Sequence, residues 1–323
     1  MNNILIIIPS LEPNRKMIDF VKEIYNSGFK KIAIVDDGSS KKYQDIFEEM
    51  EQYSTIYHHD INLGKGEAIK TAIRNYDSKD IDAYLTCDSD GQHTVEDIIR
   101  VSKCFIENKD NIVLGIRNFN QDNIPSRSKF GNKMSSIFFK LRTGITLPDT
   151  QTGLRVFSIK YKKFALSVEG SRFEYEMNFL LKAADLKYKF KYLDIKTIYE
   201  DNNSGSHFHI LRDSYLIYEE PFKYLITSII ISFLNSIFSD VQILNIIMFL
   251  ISLFIGFNMN REWVFKSKGN KENEIIKYIV LNILIIIINI LLSIKIFFLN
   301  FIIGIIMFIL LYVIERKYIF NNK

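Results

Sequence analysis

The sequence contains few cysteines and no export signal. Its 323 residues include two cysteines, and neither Cys87 nor Cys104 has the spacing of a metal ligand. Both are expected to be reduced and structural in a cytosolic environment. The N-terminus has no basic stretch and no small-residue cleavage site, so we interpret Ile4–Ile8 as the first strand of a domain rather than a signal peptide. The net charge of +4 is too small to indicate a nucleic-acid partner, and a basic surface beside a membrane explains it.

Charged residues are also nearly absent from two long stretches of the second half. In the range Tyr224–Asn260 the only charged residue is Asp240, and in Tyr278–Ile314 it is Lys295. Each stretch is longer than one membrane crossing requires, and its single charge lies near the middle. We therefore predict two pairs of helices, each joined by a tight turn, with a buried helix pair of a soluble protein as the alternative. The predicted membrane helices cover about residues 224–239, 241–260, 276–294 and 296–314.

Strand and helix patterns alternate through the first half of the chain, which is typical of a mainly parallel sheet covered by helices. Apolar runs predict strands over about residues 4–8, 31–35, 55–57, 83–87, 112–116, 156–158 and 189–199. Polar motifs follow four of these strands, namely Pro9–Glu12, Asp36–Ser39, Asp88–His93 and Gly115–Arg117. Because ligands bind at the carboxyl ends of the strands in such sheets, this coincidence predicts a pocket the size of a nucleotide-sugar. The pattern loosens to α+β after about residue 121, and the sequence shows no internal repeat.

The stretch that ends the predicted strand at residues 83–87 carries the clearest chemistry. Asp88 and Asp90 are one residue apart, and side chains at that spacing on an extended strand end lie on the same side. Two such carboxylates can hold a hard divalent cation, and the cation can bind a diphosphate. A strand followed by an ordinary polar turn is the alternative.

Five motifs, taken in their order and spacing, make the chain resemble a known family. They are the opening strand ending in Ile8-Pro9-Ser10, then Val35–Ser39, Asn62–Gly66, Asp88–His93 and Asp149–Arg155. Residues 1 to about 215 resemble the family 2 glycosyltransferases of the dolichol-phosphate mannose synthase and polyprenyl-phosphate glycosyltransferase type. Residues from about 220 onward resemble a GtrA-like membrane domain, with Asn258–Phe265 as its marker.

The resemblance implies an α/β GT-A fold followed by an all-α domain of four transmembrane helices. We expect a GT-A glycosyltransferase domain over residues 1–205, an amphipathic juxtamembrane segment over 206–223 that lies on the bilayer, and a GtrA-like transmembrane domain over 224–323.

The resemblance also implies roles for individual residues. The residues expected to bind the nucleotide-sugar are Pro9, Ser10, Glu12, Asp37, Gly64, Lys65, Asp88 and Ser89. The residues expected to hold Mg²⁺ or Mn²⁺ are Asp88, Asp90 and Gln92. The catalytic candidates are Asp149, Asp90, Arg117 and Arg127, and the acceptor-binding candidates are Gln151 and Arg155.

Within these roles, Asp37 would hydrogen-bond the nucleotide base, and Asp149 would position the acceptor. Gly64 and its neighbour Gly66 would let the backbone approach the nucleotide. His93 is expected to orient its turn rather than to bind the metal, since oxygen ligands suit Mg²⁺ better.

Several of these residues also have a purely structural interpretation. Asp37 could belong to an ordinary acidic turn, Gly64 to a helix start, and Arg117 and Arg127 to ordinary salt bridges. Glu174 and Glu176 could be a solvated helix start, so they are not counted among the candidates.

The expected function is therefore transfer of a sugar to polyprenyl phosphate at the cytosolic face of the cell membrane, as in the assembly of cell-envelope polysaccharides. A UDP-sugar is the expected donor, with GDP left open, and the resemblance implies inversion and metal dependence. A lipid-linked-sugar flippase with a non-catalytic nucleotide-binding domain is the alternative, and a nucleotide-binding scaffold is another. Basic residues between the second and third membrane helices and in the C-terminal tail favour a multi-pass protein with a cytosolic catalytic domain. Self-association into a homo-oligomer stays open.

Overall fold

The computed structural model describes residues 3–77, 79–119, 121, 124–197, 209–236, 242–291 and 297–320. The chain divides into two compact units, Met1–Ile217 and Tyr218–Lys323. The predicted juxtamembrane segment therefore spans the division between the units. Its start at residue 206, the end of the predicted strand 189–199, and the predicted turns at Asp240 and Lys295 lie outside the described residues.

The N-terminal unit contains a seven-stranded sheet. Its strands are β1 (Ile4–Ser10), β2 (Ile32–Asp36), β3 (Thr55–His58), β4 (Ala83–Thr86), β5 (Asn111–Arg117), β6 (Arg155–Ser158) and β7 (Lys189–Ile195). Their spatial order is β3-β2-β1-β4-β6-β5-β7, and every pairing is parallel except those of β6. The first, second and fourth strands are buried along their whole length, as their apolar sequences require for a sheet covered on both faces.

Helices cover the sheet of the N-terminal unit. They are α1 (Lys16–Asn26), α2 (Gln44–Met50), α3 (Lys65–Asn75), α4 (Val95–Glu107), α5 (Ser126–Thr143), α6 (Lys162–Leu166), α7 (Glu174–Asp185) and α8 (Ile210–Ile217). Thr94 caps α4, because its side chain accepts a hydrogen bond from the backbone N–H of Asp97. The alternating pattern and the mainly parallel sheet are as predicted.

The structure corrects two details of the expected strands. The first strand does not stop before Pro9 but continues to Ser10, which pairs with Asp36 of β2. The sixth strand runs antiparallel between β4 and β5, a reversal that the sequence pattern did not indicate.

The C-terminal unit is helical, in agreement with the expected all-α domain. Its helices are α9 (Glu219–Ser236), α10 (Gln242–Asn258), α11 (Lys271–Leu291) and α12 (Phe297–Ile314). Two π-helical segments, Met259–Val264 and Glu315–Ile319, extend the second and fourth of these. Within the described ranges, none of the helices combines the length with the apolar character that a membrane crossing requires. The crossings at the predicted positions stay predictions.

Candidate functional site

The two carboxylates of the central motif lie at the end of β4, in the middle of the sheet. Asp88 Oδ1 is 2.6 Å from the Lys65 Nζ, and Asp88 Oδ2 is 3.5 Å from the Nε2 of the buried His93. Lys65 Nζ also lies 2.9 Å from Glu176 Oε1. The ammonium therefore bridges two carboxylates, one from the turn that follows β4 and one from α7. Asp90 accepts a hydrogen bond from the backbone N–H of Gln92, at 3.0 Å, which closes the turn after the strand.

The charges in this cluster shift one another's pKa values. Burial opposes ionisation of Asp88, but the Lys65 ammonium and His93 hold the pKa of that carboxyl well below its usual range. Burial also lowers the pKa of Lys65, yet Asp88 and Glu176 outweigh it and raise that pKa above its ordinary value. Burial and then repulsion by Asp88 raise the pKa of Asp90. The two acids of the motif therefore oppose each other's ionisation.

A divalent cation fits this pair. Its positive charge would relieve the repulsion between Asp88 and Asp90, and the donors are hard carboxylate oxygens of the kind that Mg²⁺ and Mn²⁺ prefer. No three His, Cys, Asp or Glu side chains of the described ranges converge to form a metal-binding group. The protein would therefore supply part of a coordination shell, and diphosphate oxygens and water would complete it.

The loop that precedes β6 contacts the end of β4 and Asp88. The Thr86 hydroxyl donates a hydrogen bond to the Gly153 carbonyl at 2.7 Å. A Cβ on Gly153 would lie 2.3 Å from both carboxylate oxygens of Asp88, so any side chain there would displace that carboxylate. The hydroxyl of Thr152 donates to the Gly115 carbonyl at 2.5 Å, which ties the same loop to β5.

Arg117 and Asp149 form a second cluster at the other end of this loop. Asp149 is 0% exposed, and its Oδ2 and Oδ1 accept hydrogen bonds from Arg117 Nε at 2.8 Å and from an Arg117 terminal nitrogen at 3.1 Å. It also accepts from the backbone N–H groups of Arg117 and Gln151. The carboxylate is thus turned toward Arg117 and the loop. This geometry supports a role in holding Arg117 rather than direct contact with an acceptor.

The other predicted acceptor contacts lie in different surroundings. Arg155 is 3% exposed, and its guanidinium donates to the carbonyls of Thr150, Thr152 and Glu176. Its contacts join the loop before β6 to α7, and contact with an acceptor phosphate stays a prediction. Arg127 is exposed in the first turn of α5 and forms no hydrogen bond or ion pair with the described residues.

Asp37 organises the loops at the predicted nucleotide side. Its carboxylate accepts hydrogen bonds from the backbone N–H groups of Leu63 and Gly64, at 2.9 and 2.8 Å, and contacts His59 Nδ1 at 2.8 Å. Its own N–H donates to the Ser10 carbonyl at 2.8 Å. Asp37 therefore links the ends of β1 and β2 to the start of α3, and contact with a base remains a prediction.

The remaining residues of the predicted nucleotide side surround this link. The backbone N–H of Glu12, a residue with φ of 50°, donates to the Ser39 hydroxyl at 2.8 Å. Pro9 pairs with Val35 inside the sheet, and Ser89 is half-buried beside Asp88.

The two glycines at the start of α3, Gly64 and Gly66, allow a close approach of another part of the chain, and their approach to a nucleotide stays a prediction. A Cβ on Gly64 would lie 2.5 Å from Arg172 Cγ, and one on Gly66 would lie 2.4 Å from Tyr175 Cβ. The space next to both glycines is therefore filled by the segment that leads into α7. The same segment delivers Glu176 to Lys65, a residue that sequence reasoning left out. The acidic run Glu174–Glu176 was its only signal.

Comparisons with known proteins agree with this architecture. The family model "Glycosyl transferase family 2" matches residues 6–164, and "GtrA/DPMS, transmembrane domain" matches residues 222–320. The UDP-N-acetylglucosamine–dolichyl-phosphate N-acetylglucosaminyltransferase of Methanococcus voltae is 30% identical over 217 residues, which are 61% of this chain and 86% of that protein. The chain belongs to the family 2 glycosyltransferases. This glycosyltransferase also carries a GtrA/DPMS transmembrane domain.

Further similar proteins include one more sequence relative and two solved structures that support the fold. An uncharacterized protein of Methanocaldococcus jannaschii is 29% identical over 207 residues, covering 62% of this chain and 83% of that protein. The Mycobacterium tuberculosis glucosyl-3-phosphoglycerate synthase, solved with Mn²⁺, UDP and phosphoglyceric acid, has a TM-score of 0.51 at 12% identity and covers 70% of this glycosyltransferase and 78% of that chain. The mannosyl-3-phosphoglycerate synthase of Rubrobacter xylanophilus has a TM-score of 0.50 at 15% identity, with 67% and 70% covered. These likenesses confirm the GT-A-like fold of the N-terminal unit.

Proposed function

We propose that this glycosyltransferase moves a sugar from a nucleotide-sugar, with UDP as the expected nucleotide, to the phosphate of a polyprenyl phosphate at the cytosolic membrane face. The observation that carries the proposal is the cluster of Asp88, Asp90, Lys65 and Glu176 at the end of the central strand. Asp88 and Asp90, with the Lys65 ammonium beside them, suit a metal-bound diphosphate. The Methanococcus voltae relative, whose name gives UDP-N-acetylglucosamine and dolichyl phosphate, and the GtrA/DPMS domain support the choice of donor and acceptor.

In the proposed reaction, an oxygen of the acceptor phosphate attacks the anomeric carbon of the sugar. A new carbon–oxygen bond forms as the bond to the nucleoside diphosphate breaks, and a single displacement inverts the configuration at that carbon. The acceptor phosphate is already ionised near neutral pH, so no residue needs to remove a proton. Asp88 and Asp90, with Gln92, would hold Mg²⁺ or Mn²⁺, which would neutralise charge on the departing diphosphate.

The basic residues divide between the two phosphates. Lys65, held by Asp88 and Glu176, provides positive charge beside the donor diphosphate. Arg117 is oriented by Asp149 and, with the exposed Arg127, would attract the phosphate of the acceptor. Asp37 would hydrogen-bond the nucleotide base.

A reconstituted transfer assay tests the proposal. Full-length protein in detergent micelles with polyprenyl phosphate is incubated with UDP- and GDP-sugars and Mn²⁺ or Mg²⁺, and both the released nucleoside diphosphate and the lipid-linked sugar are measured. We expect release that depends on polyprenyl phosphate, stops in EDTA, and is lost in Asp90→Asn, whose amide is a poor ligand for a hard cation.

The controls separate the proposal from its alternatives. Polyprenol without phosphate should give no product, because the acceptor phosphate supplies the attacking oxygen. Nucleotide binding without release under any of these conditions would favour a flippase or scaffold and would refute the proposal. Full activity of Asp90→Asn in EDTA would refute the metal site.

A further inference from the structure

The described helices of the C-terminal unit form two successive pairs that share a sequence pattern. We call α9, α10 and the segment that closes them the first hairpin, and α11, α12 and their closing segment the second hairpin. The first helix of each hairpin begins with Glu-x-x-x-Tyr containing a lysine before the tyrosine, at Glu220–Tyr224 in α9 and at Glu274–Tyr278 in α11. The segment that closes each hairpin reads Asn-Arg-Glu-Trp-Val-Phe at Asn260–Phe265 and Glu-Arg-Lys-Tyr-Ile-Phe at Glu315–Phe320. The expectation of a chain without internal repeats is therefore wrong. So few positions are shared that the repeat is visible only when the structure aligns them.

The two closing segments also have the same local structure. Both are π-helical, and the N–H of Phe265 donates to the Asn260 carbonyl at 2.8 Å just as that of Phe320 donates to the Glu315 carbonyl at 2.8 Å. In both segments the first, fifth and sixth residues are buried, and the third and fourth are exposed. π-Helices are rare, so two at equivalent positions argue for a common origin.

The contacts between the hairpins are reciprocal. Arg261 of the first hairpin bonds Glu274 of the second, with Nε 2.8 Å from Oε2. The equivalent residue of the second hairpin, Arg316, bonds Glu220 of the first, with Nε 3.0 Å from Oε1. Each arginine therefore binds the glutamate at the start of the other hairpin, as the subunits of a two-fold dimer would.

Aromatic rings repeat the same relation. Three aromatic residues of each hairpin contact one another in equivalent pairs, with similar separations between ring centroids. The Tyr224–Phe265 pair, at 5.7 Å, corresponds to Tyr278–Phe320, at 6.0 Å. The Tyr224–Tyr312 pair, at 5.3 Å, corresponds to Phe257–Tyr278, at 5.7 Å. The Phe265–Tyr312 pair, at 6.0 Å, corresponds to Phe257–Phe320, at 5.8 Å.

Equivalent residues meet each other at the centre of the unit. Phe265 stacks on Phe320 with centroids 5.2 Å apart and an interplanar angle of 19°. Asn260 Nδ2 donates to Glu315 Oε2 at 2.7 Å. Residues that are related by a two-fold axis contact each other only close to that axis, so the axis passes through these two pairs.

Asn260 and Glu315 occupy equivalent positions in the two hairpins, but only Glu315 can carry a charge. Glu315 lies just after α12 and is 4% exposed. Its Oε1 accepts a hydrogen bond from the Tyr224 hydroxyl of α9, at 3.2 Å, and the carboxyl faces Tyr278 of α11. The nearby arginines of the closing segments have other partners: Arg261 is paired with Glu274, and Arg316 with Glu220.

No described residue forms an ion pair with this carboxyl. Burial raises the pKa of Glu315 to about 8, an effect that its hydrogen bonds from Tyr224 and Asn260 reduce. A carboxyl in these surroundings is held mainly as the neutral acid near pH 7.

We propose that the C-terminal unit is a fused pair of equivalent helix hairpins and that Glu315 makes their contact proton-sensitive. The acid form joins the hairpins through Asn260 and Tyr224. The carboxylate form places an unpaired charge in the contact and loosens it. The proposal concerns the C-terminal unit alone and does not depend on the transfer reaction.

The single tryptophan of the chain, Trp263, lies in this unit and gives a specific signal for it. Thermal unfolding of the full chain in detergent is followed by Trp263 fluorescence between about pH 6 and about pH 10. The folded pKa of Glu315 is raised above its unfolded value, so stability is greatest at low pH and is lost as the pH rises through about 8. We expect the wild-type melting temperature to fall over this range and that of Glu315→Gln to stay constant.

Matched variants complete the test. Glu262→Gln, an exposed position of the first closing segment, should keep the wild-type pH dependence. The double variant Asn260→Glu with Glu315→Asn should also keep the wild-type pH dependence. Under the proposed equivalence, Tyr278 has the same position relative to residue 260 that Tyr224 has relative to residue 315. A Glu315→Gln protein that still follows the wild-type curve would overturn the proton-sensitive contact. An exchanged protein that melts below both single variants would overturn the equivalence of the hairpins.

Discussion

The ion pair between Arg117 and Asp149 allows a quantitative test of how the candidate site is held together. The substitution Asp149→Asn keeps the side-chain volume but removes the charge and one of the two oxygens that Arg117 bonds. Asp149 is 0% exposed and the Arg117 side chain 13%, so water cannot replace the lost contacts. A hydrogen bond to a charged group contributes about 1.5–3 kcal/mol, and breaking a buried ion pair costs about 3–5 kcal/mol. We expect Asp149→Asn to lower the free energy of unfolding of the N-terminal unit by about 2–4 kcal/mol.

The two cysteines allow that unit to be measured by itself. Both lie in the N-terminal unit, Cys87 buried and Cys104 half-buried. A thiol-reactive dye therefore reports unfolding of this unit in the full chain when Cys87 becomes accessible, and Cys104→Ser removes the background. The expected loss in stability corresponds to a fall in melting temperature of roughly 4–16 °C for a unit of this size.

A double-mutant cycle tests whether the two residues act as one. Arg117→Gln should itself lower sugar transfer, and Asp149→Asn should lower transfer while leaving donor affinity nearly intact. If Asp149 acts by orienting Arg117, the double variant should be little worse than Arg117→Gln in both melting temperature and turnover. Fully additive losses in the cycle, or wild-type turnover in Asp149→Asn, would refute this reasoning.

Two further substitutions test the support of the acidic pair. Gly153→Ala would place a methyl group 2.3 Å from the Asp88 oxygens and should weaken Mn²⁺ binding measured by calorimetry. The control Gly131→Ala adds a methyl group to α5 with nothing within 4 Å, and should leave binding unchanged while stabilising the helix by about 0.5–1 kcal/mol; equal Mn²⁺ affinity in the two variants would contradict the role of Gly153. Glu176→Gln removes one carboxylate that holds Lys65 and should reduce turnover about tenfold, the equivalent of about 1.4 kcal/mol, so unchanged turnover would exclude a positioning role.

The sequence predicted the frame of the N-terminal unit because the signals for that frame are local. A buried parallel strand reads as a continuous apolar run, as in β1, and a polar motif at its end marks the edge where ligands bind. The acidic pair after β4 was found for this reason. The π-helical segments of the C-terminal unit were missed because a π-helix has no comparable periodic signal in sequence.

The roles of single side chains were harder to predict because their partners lie far away in the chain. Asp149 was expected to face the acceptor, yet Arg117 occupies its carboxylate. Gly64 was expected to face the nucleotide, yet the close neighbour is Arg172. No sequence pattern near Asp149 or Gly64 indicates these partners.

The register of β6 explains why distant residues converge on one site. Arg155 pairs with Thr86 of β4 on one side and with Leu114 of β5 on the other. This antiparallel register brings the preceding loop beneath Asp88, and the same loop holds Asp149 beside the end of β5, where Arg117 lies. A slip of one residue would exchange the faces of β6 and turn the Arg155 side chain away from the carbonyls that it joins. A single strand pairing therefore links the acidic pair to the arginine–aspartate pair, and because β6 is short and its reversal leaves no local pattern, this link could not have been read from the sequence.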